Sequence, residues 1–111
     1  MKTFEMKTVI HFGDNALDRL AELPYKKVLV ITDPFIAKGE MINLITDPLK
    51  SGGKEFEVFS DVVPDAPVGK IAEGVKKFLE YQPEVVVAVG GGSAIDSSKA
   101  IREFALKINN Y

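Results

Sequence analysis

The fold is indicated most directly by residues 85–93, which read VVVAVGGGS. Residues 85–89 are the most hydrophobic run in the chain. They show no alternation of apolar and polar side chains, as expected of a strand buried on both faces of a parallel sheet. The three glycines that follow allow the backbone to turn sharply into a helix. This stretch therefore predicts a buried strand, a glycine turn and the start of a helix, in the manner of an α/β domain.

Two further strands and three helices are predicted from the hydrophobic patterns around this stretch. Residues 28–31 form a β-branched run without alternation, and residues 56–59 form a second, more polar strand. Apolar residues at helical spacing predict helices over residues 40–50 and 68–79. The last helix carries a single stripe formed by Ala94, Ser98, Ile101, Ala105 and Ile108.

Prolines and glycines divide these elements. Pro48 is expected to kink or split the helix over residues 40–50, because proline lacks the N–H that a helix interior needs. Residues 51–53, Ser-Gly-Gly, predict a turn. The prolines at both ends of residues 64–67 are expected to keep that connection extended.

The amino-terminal region predicts one more strand and one more helix. Residues 4–12 alternate side-chain types as a strand does, and Gly13 follows them. His11 is the single histidine of the sequence and is interpreted as a packed or surface residue, since one imidazole without partners makes neither a metal site nor a catalytic triad. A short helix before Pro24 would carry Ala16, Leu17, Leu20 and Ala21.

The order of the strands is predicted from the residues that follow their carboxyl ends. Parallel strands joined by helices need right-handed crossovers, and ligands bind at their carboxyl ends where the strand order reverses. Asp33 follows residues 28–31, and the glycine turn follows residues 85–89, so these strands are placed side by side with residues 56–59 outside the first. The sequence thus predicts an α/β, Rossmann-like three-layer α/β/α domain over residues 1–111, with a parallel sheet as its core.

Composition limits the partners and the location. With 111 residues, 46% of them hydrophobic, the chain fits one small domain. The net charge of −2 is spread without a basic stripe, so nucleic acid is not an expected partner. Cysteine is absent, which excludes disulfides and thiolate sites. The charged start and the lack of a long apolar run predict neither a signal peptide nor a membrane span, and a cytoplasmic location is the expectation.

The glycine turn has two interpretations. Bare backbone amides close to a helix N-terminus favour phosphate binding. Alternatively, the glycines only make a tight turn, with Ser93 as the N-cap and Asp96 three residues later in an arrangement like a capping box. The glycine signal alone does not separate these two interpretations.

Asp33 also has two interpretations. A carboxylate at the end of a buried strand can accept both hydroxyls of an adenosine ribose and repel a 2′-phosphate, which would select NAD over NADP. Alternatively, Asp33 with Pro34 starts a turn or caps the next helix. A phospho-accepting receiver domain is disfavoured, because it needs paired acidic residues after its first strand, where this chain has Thr32 and Asp33.

Residues 90–100, GGGSAIDSSKA, resemble the G-G-G-S-x-x-D-x-x-K-A signature of the iron-containing alcohol dehydrogenase family. Residues 28–33 resemble the family's V-x-x-x-T-D strand, and the Phe-Gly pair at 12–13 stands before the first helix in the family's order. Residues 63–67 resemble its V-x-P-[DN]-P segment, with Ala66 replacing the usual proline. The resemblance covers essentially the whole chain and implies the amino-terminal, Rossmann-like part of a dehydroquinate-synthase-like fold.

The resemblance implies a set of cofactor contacts. Asp33 would bind the adenosine ribose and select NAD, and Asp65 would be a further contact. The pyrophosphate loop would comprise Gly91, Gly92, Ser93, Ala94, Ile95 and Asp96.

The resemblance also implies that much of the enzyme lies outside this chain. Family members are several times longer, with a Thr-rich loop that completes the cofactor site and a helical domain that supplies one Asp and three His as metal ligands. In the complete enzyme, iron or zinc would polarise the oxygen of an alcohol or aldehyde substrate, so that hydride passes between substrate and NAD.

Two functions remain open at this point. The first is the NAD-binding part of a dehydrogenase of primary alcohols and aldehydes, inactive by itself. The second is a standalone, non-catalytic nucleotide-binding or interaction module. A homo-oligomer is expected. An exposed apolar edge at the strand over residues 85–89 predicts either self-association through that edge or marginal stability as a monomer.

Overall fold

A computed structural model of the chain describes residues 25–65 and 67–108. The strand predicted over residues 4–12, the helix predicted before Pro24, His11 and Ala66 lie outside the described residues. The described elements are, in chain order, β1 Lys27–Thr32, α1 Pro34–Lys38, α2 Asn43–Ser51, β2 Glu55–Phe59, α3 Val68–Tyr81, β3 Val85–Val89 and α4 Gly92–Ile108.

The three strands form one parallel sheet in the order β2-β1-β3, which confirms the predicted order. Val28 of β1 pairs with Phe56 of β2 on one side and with Val85 of β3 on the other. From β1 the chain passes to β2 on one side of it and then crosses to β3 on the other side, so the strand order reverses between β1 and β3. The carboxyl ends of these two strands therefore flank the position where ligands bind in such sheets.

The core consists of two layers of apolar side chains, one on each face of the sheet. On one face, Leu29 and Ile31 pack with residues of α3 and α4, including Phe78 and Ile101. On the other face, alternate β1 residues pack with side chains of α1 and α2, in a cluster containing Val28, Val30, Ile36, Ile45 and Leu49. The chain is thus a three-layer α/β/α structure of the Rossmann-like kind that the sequence predicts.

Helices α3 and α4 approach each other closely at Gly74. A Cβ atom at this position would lie 2.7 Å from Cγ1 of Ile101 and 3.3 Å from the ring of Phe59. Both distances are too short for ordinary packing, so the missing side chain of Gly74 makes room for Ile101.

The segment after β1 contains a short helix, α1, that was not predicted, before the helix predicted over residues 40–50, which is α2. Helix α1 forms because the side chain of Asp33 caps it and Pro34 occupies its first turn. Helix α2 runs through Pro48 to Ser51, so Pro48 does not split it; the alternative of a kink stays a prediction. Burial of its apolar face, which includes Leu49, outweighs the lost backbone hydrogen bond.

Two smaller predictions are also wrong. Asp65 does not continue an extended connection: its φ of 69° lies in the left-handed region, which aspartate tolerates in turns. Strand β3 lies at one edge of the described sheet, but it is not exposed there, since every residue of Val85–Val89 is exposed by 1% or less. The exposed apolar edge from which self-association was expected is therefore not found.

Candidate functional site

The carboxyl ends of β1 and β3 are joined by a buried side-chain hydrogen bond. Thr32 and Val89 are partners in the sheet, and the hydroxyl of Thr32 donates to the carbonyl oxygen of Val89 at 2.8 Å. The backbone N–H of Val62, which follows β2, donates to the carbonyl oxygen of Thr32 at 3.3 Å. The ends of all three strands are thus held together around the same point.

A cleft of about 320 Å³ opens at this point. Five of the residues predicted from the sequence line it, and they come from two chain segments that lie far apart in sequence. These residues are Asp33, Gly91, Gly92, Ser93 and Ala94. The structure therefore brings the predicted ribose contact and most of the predicted pyrophosphate loop into one cleft.

Three predicted contacts are not among the residues that line the cleft. Asp65 is exposed in the turn after β2, and Asp96 is exposed on α4. Ile95 is half-buried, and its backbone N–H donates to the carbonyl oxygen of Gly91 at 3.2 Å as part of the helix. Their roles stay predictions from the family resemblance.

Asp33 acts as a helix cap and also lines the cleft. Its Oδ1 accepts a hydrogen bond from the N–H of Ile36 at 2.7 Å, so the capping interpretation is correct. An ionised carboxylate offers about four acceptor positions on two oxygens. Capping therefore leaves acceptor capacity for ribose hydroxyls, and the two interpretations of Asp33 are compatible.

The three glycines have different structural roles. Gly90 has a φ of 138°, and a Cβ atom there would lie 3.2 Å from Cβ of Ala94, so this position needs glycine for the turn itself. At Gly91 and Gly92, a Cβ atom would meet no other atom within 4 Å. The turn does not need glycine at these two positions, and the space above them is open to the cleft.

Helix α4 begins two residues earlier than the capping-box interpretation requires. The carbonyl oxygen of Gly91 accepts hydrogen bonds from Ala94 at 3.1 Å and Ile95 at 3.2 Å, which places Gly91 at the N-cap and Ser93 inside the first turn. Ser93 is therefore not the N-cap. The first N–H groups of a helix have no intrahelical acceptor and carry partial positive charge, so this end of the cleft favours an anion.

The apolar part of the cleft was not predicted from the sequence. Pro34 and Phe35 of α1 line it, as do Val62, Val63 and Pro64 from the segment after β2. Phe35 is 82% exposed, which is unusual for a phenylalanine. Its position two residues after Asp33 was a usable signal, because an aromatic residue beside a predicted ribose contact can face the same ligand.

Shifted pKa values occur at the opposite end of the sheet. Burial, together with the negative charges of Glu55 and Glu57, raises the pKa of Tyr81 to about 12. Hydrogen bonds from the backbone N–H groups of Lys26 and Lys27 lower the pKa of Glu84. These groups stand at the amino ends of β1 and β3 and take no part in the cleft.

A larger groove of about 540 Å³ lies between α3 and α4. Its lining is mostly apolar and includes Val68 and Phe104, with Lys76 and Glu80 as its charged residues. Small-molecule sites combine an apolar lining with convergent polar groups that fix the ligand's orientation. The smaller cleft meets this requirement better, because a carboxylate and the N-terminal amides of α4 both face it.

The sequence model of the family described as iron-containing alcohol dehydrogenase matches residues 7–111. The chain belongs to the iron-containing alcohol dehydrogenase family. Among its relatives in this family, 1-propanol dehydrogenase PduQ of Citrobacter freundii is 34% identical over 97% of the chain.

Solved structures of the iron-containing alcohol dehydrogenases share the fold. The enzyme from Thermococcus thioreducens superposes with a TM-score of 0.77 over 100% of the chain at 26% identity. NADH-dependent butanol dehydrogenase A from Thermotoga maritima superposes with a TM-score of 0.71 over 91% of the chain at 31% identity.

The chain spans 30% of the length of the Citrobacter enzyme, and 29% and 27% of the two solved chains. Within its described residues, no group of three or more His, Cys, Asp or Glu could hold a metal ion. No helix in the described residues is both long and apolar enough to cross a membrane.

Proposed function

We propose that this chain is the NAD-binding portion of an iron-type alcohol dehydrogenase, which transfers hydride between NAD and a primary alcohol or aldehyde. The observation that carries the proposal is the meeting of Asp33 and the first turn of α4 in one cleft at the β1/β3 strand ends. Family membership supports the same function, and one relative of solved structure is described as NADH-dependent.

Asp33 would bind the adenosine ribose. Its Oδ1 is used in part by the N–H of Ile36, which fixes the orientation of the carboxylate. The remaining acceptor positions suit the two ribose hydroxyls of NAD. A 2′-phosphate at the same place would bring a second negative charge against the carboxylate, so the site would disfavour NADP.

The pyrophosphate would lie against Gly91, Gly92 and Ser93. The open space above both glycines lets a phosphate approach the backbone of the first turn of α4. Uncapped N–H groups and the partial positive charge of a helix N-terminus stabilise such an anion. The residues present thus fit a dinucleotide, and bound NAD would supply the acceptor or donor of the hydride.

The metal chemistry of the family would reside in a different part of the enzyme. The described residues lack a cluster of metal ligands, so they do not fit an iron or zinc ion. The role proposed for this chain is therefore to hold and orient the dinucleotide. The residues that bind the alcohol and the metal would come from the part of the enzyme that the longer relatives contain.

Calorimetric titration tests the proposal. The chain should bind NAD in a saturable manner, and it should bind NADP at least tenfold more weakly. The alternative of a standalone module that does not bind nucleotides predicts no heat with either one. Equal affinities for NAD and NADP would contradict the role of Asp33 but leave nucleotide binding intact.

A further inference from the structure

One end of the cleft is apolar and carries an aromatic ring that the fold does not use. Phe35 is 82% exposed, whereas the next residue, Ile36, is buried in the core beside α2. Ile36 therefore anchors α1 to the sheet. The ring of Phe35 is left at the surface of the cleft, where burial against a ligand would remove it from water.

The second apolar wall comes from the other face of the sheet. Val62 is buried in the core cluster beneath α3 and α4, and its N–H is bonded to the carbonyl oxygen of Thr32. This anchor holds the following residues, Val63 and Pro64, where they line the cleft. Phe35 comes from the α1 side, so the cleft has an apolar wall on each side of the sheet plane.

The polar groups fix the direction in which a nucleotide would lie. The first turn of α4 is the anion-binding end, and Asp33 stands in the same cleft two residues before Phe35. With phosphate at α4 and ribose at Asp33, the base attached to that ribose extends toward the apolar end. A purine has two apolar faces, and stacking on an aromatic ring suits any purine because each has a π face.

We propose that Phe35 stacks on the adenine base of the dinucleotide, with Val63 and Pro64 covering the base from the other side of the cleft. This inference rests on the proposed function and adds the residue that recognises the base. Removal of the ring should weaken binding of adenine nucleotides by about 10- to 100-fold, the range that base stacking contributes. Ligands without a base should be unaffected.

The test compares Phe35→Ala and Phe35→Trp with Phe104→Ala. Phe104 is a matched control, because it is also an exposed phenylalanine, at 53%, and lies on α4 outside the cleft. NAD, AMP and ribose 5-phosphate are titrated into each variant by calorimetry. In parallel, NMR records the upfield ring-current shifts of the adenine protons.

Phe35→Ala should weaken the binding of NAD and AMP by about 10- to 100-fold and abolish the ring-current shifts. Its affinity for ribose 5-phosphate should equal that of the original chain. Phe35→Trp should restore both signals, and Phe104→Ala should change neither. Unchanged NAD and AMP affinity in Phe35→Ala would overturn the stacking role and leave the proposed function standing. An equal loss for ribose 5-phosphate would also overturn it. If the original chain binds neither NAD nor AMP, the proposed function itself fails.

Discussion

Gly92 is the position at which folding and cofactor binding can be separated by a single substitution. It is the first residue of α4, and a Cβ atom there meets no other atom within 4 Å. The variant Gly92→Val should therefore fold. Valine and glycine differ by only about 0.5 kcal/mol in helix propensity, so the free energy of unfolding should change by about that amount or less.

Ligand binding should change far more than stability. A valine side chain at position 92 would occupy the space in which the pyrophosphate approaches the N–H groups of α4. Each hydrogen bond to a charged group contributes about 1.5–3 kcal/mol, so the loss of two would cost about 3–6 kcal/mol. This corresponds to a dissociation constant for NAD raised by more than about 100-fold.

The matched control is Gly69→Val. Gly69 lies in the first turn of α3, outside the cleft, and a Cβ atom there also meets nothing within 4 Å. Calorimetry gives the affinity for NAD, and circular dichroism gives the helix content and the melting temperature. A Gly92→Val variant that binds NAD as tightly as Gly69→Val does, or that unfolds while Gly69→Val remains folded, would contradict this role of Gly92.

Four further predictions concern specificity, packing, an unpaired hydroxyl and catalysis. Asp33→Ser keeps a residue that caps helices but removes the charge, so calorimetry should show a smaller preference for NAD over NADP; an unchanged preference would exclude this carboxylate as the selector. Gly74→Ala should destabilise the chain by about 1–3 kcal/mol in urea unfolding, because the added methyl group overlaps Ile101, and an unchanged midpoint would contradict that packing. The buried hydroxyl of Tyr81 has no hydrogen-bond partner in the described part of the chain, so Tyr81→Phe should be neutral or stabilising. Because folding raises the pKa of Tyr81 to about 12, ionisation of this side chain leaves the free energy of unfolding unchanged below pH 10 and lowers it between pH 10 and 12. Tyr81→Phe should reduce this decline. Finally, the chain supplied with NAD, a primary alcohol and ferrous or zinc ion should form no NADH by absorbance, and metal-dependent turnover free of contaminating enzyme would contradict the assignment of the metal site to another part of the enzyme.

The sheet could be predicted because its strands carry strong local signals. The hydrophobic run of β3 was located at the residues the structure gives, Val85–Val89, since a strand buried on both faces needs apolar side chains at every position. The placement of β1 beside β3 was predicted from Asp33 at the end of β1 and the glycine turn at the end of β3. Helix α3 also begins at the first residue of its predicted pattern and extends to Tyr81.

The details that the sequence could not settle depend on contacts made after folding. The sequence was compatible with Asp33 as a helix cap or as a ribose contact, and only the hydrogen bond from the N–H of Ile36 shows that the cap forms. Nothing in the run of three glycines shows that Gly90 serves the turn while Gly92 faces open space, because the distinction rests on φ and on the neighbouring atoms. Phe35 was missed because its exposure depends on the short helix that Asp33 begins.

The most direct test of dinucleotide binding in the cleft is an NMR titration of the isotope-labelled chain with NAD. We expect saturable shifts of the backbone amide signals of Asp33, Gly91, Gly92 and Ser93, all with one dissociation constant. The amide signal of Phe104, in the groove between α3 and α4, should stay in place. Absence of saturable shifts, or shifts confined to that groove, would contradict the claim that the cleft at the β1/β3 strand ends binds the dinucleotide.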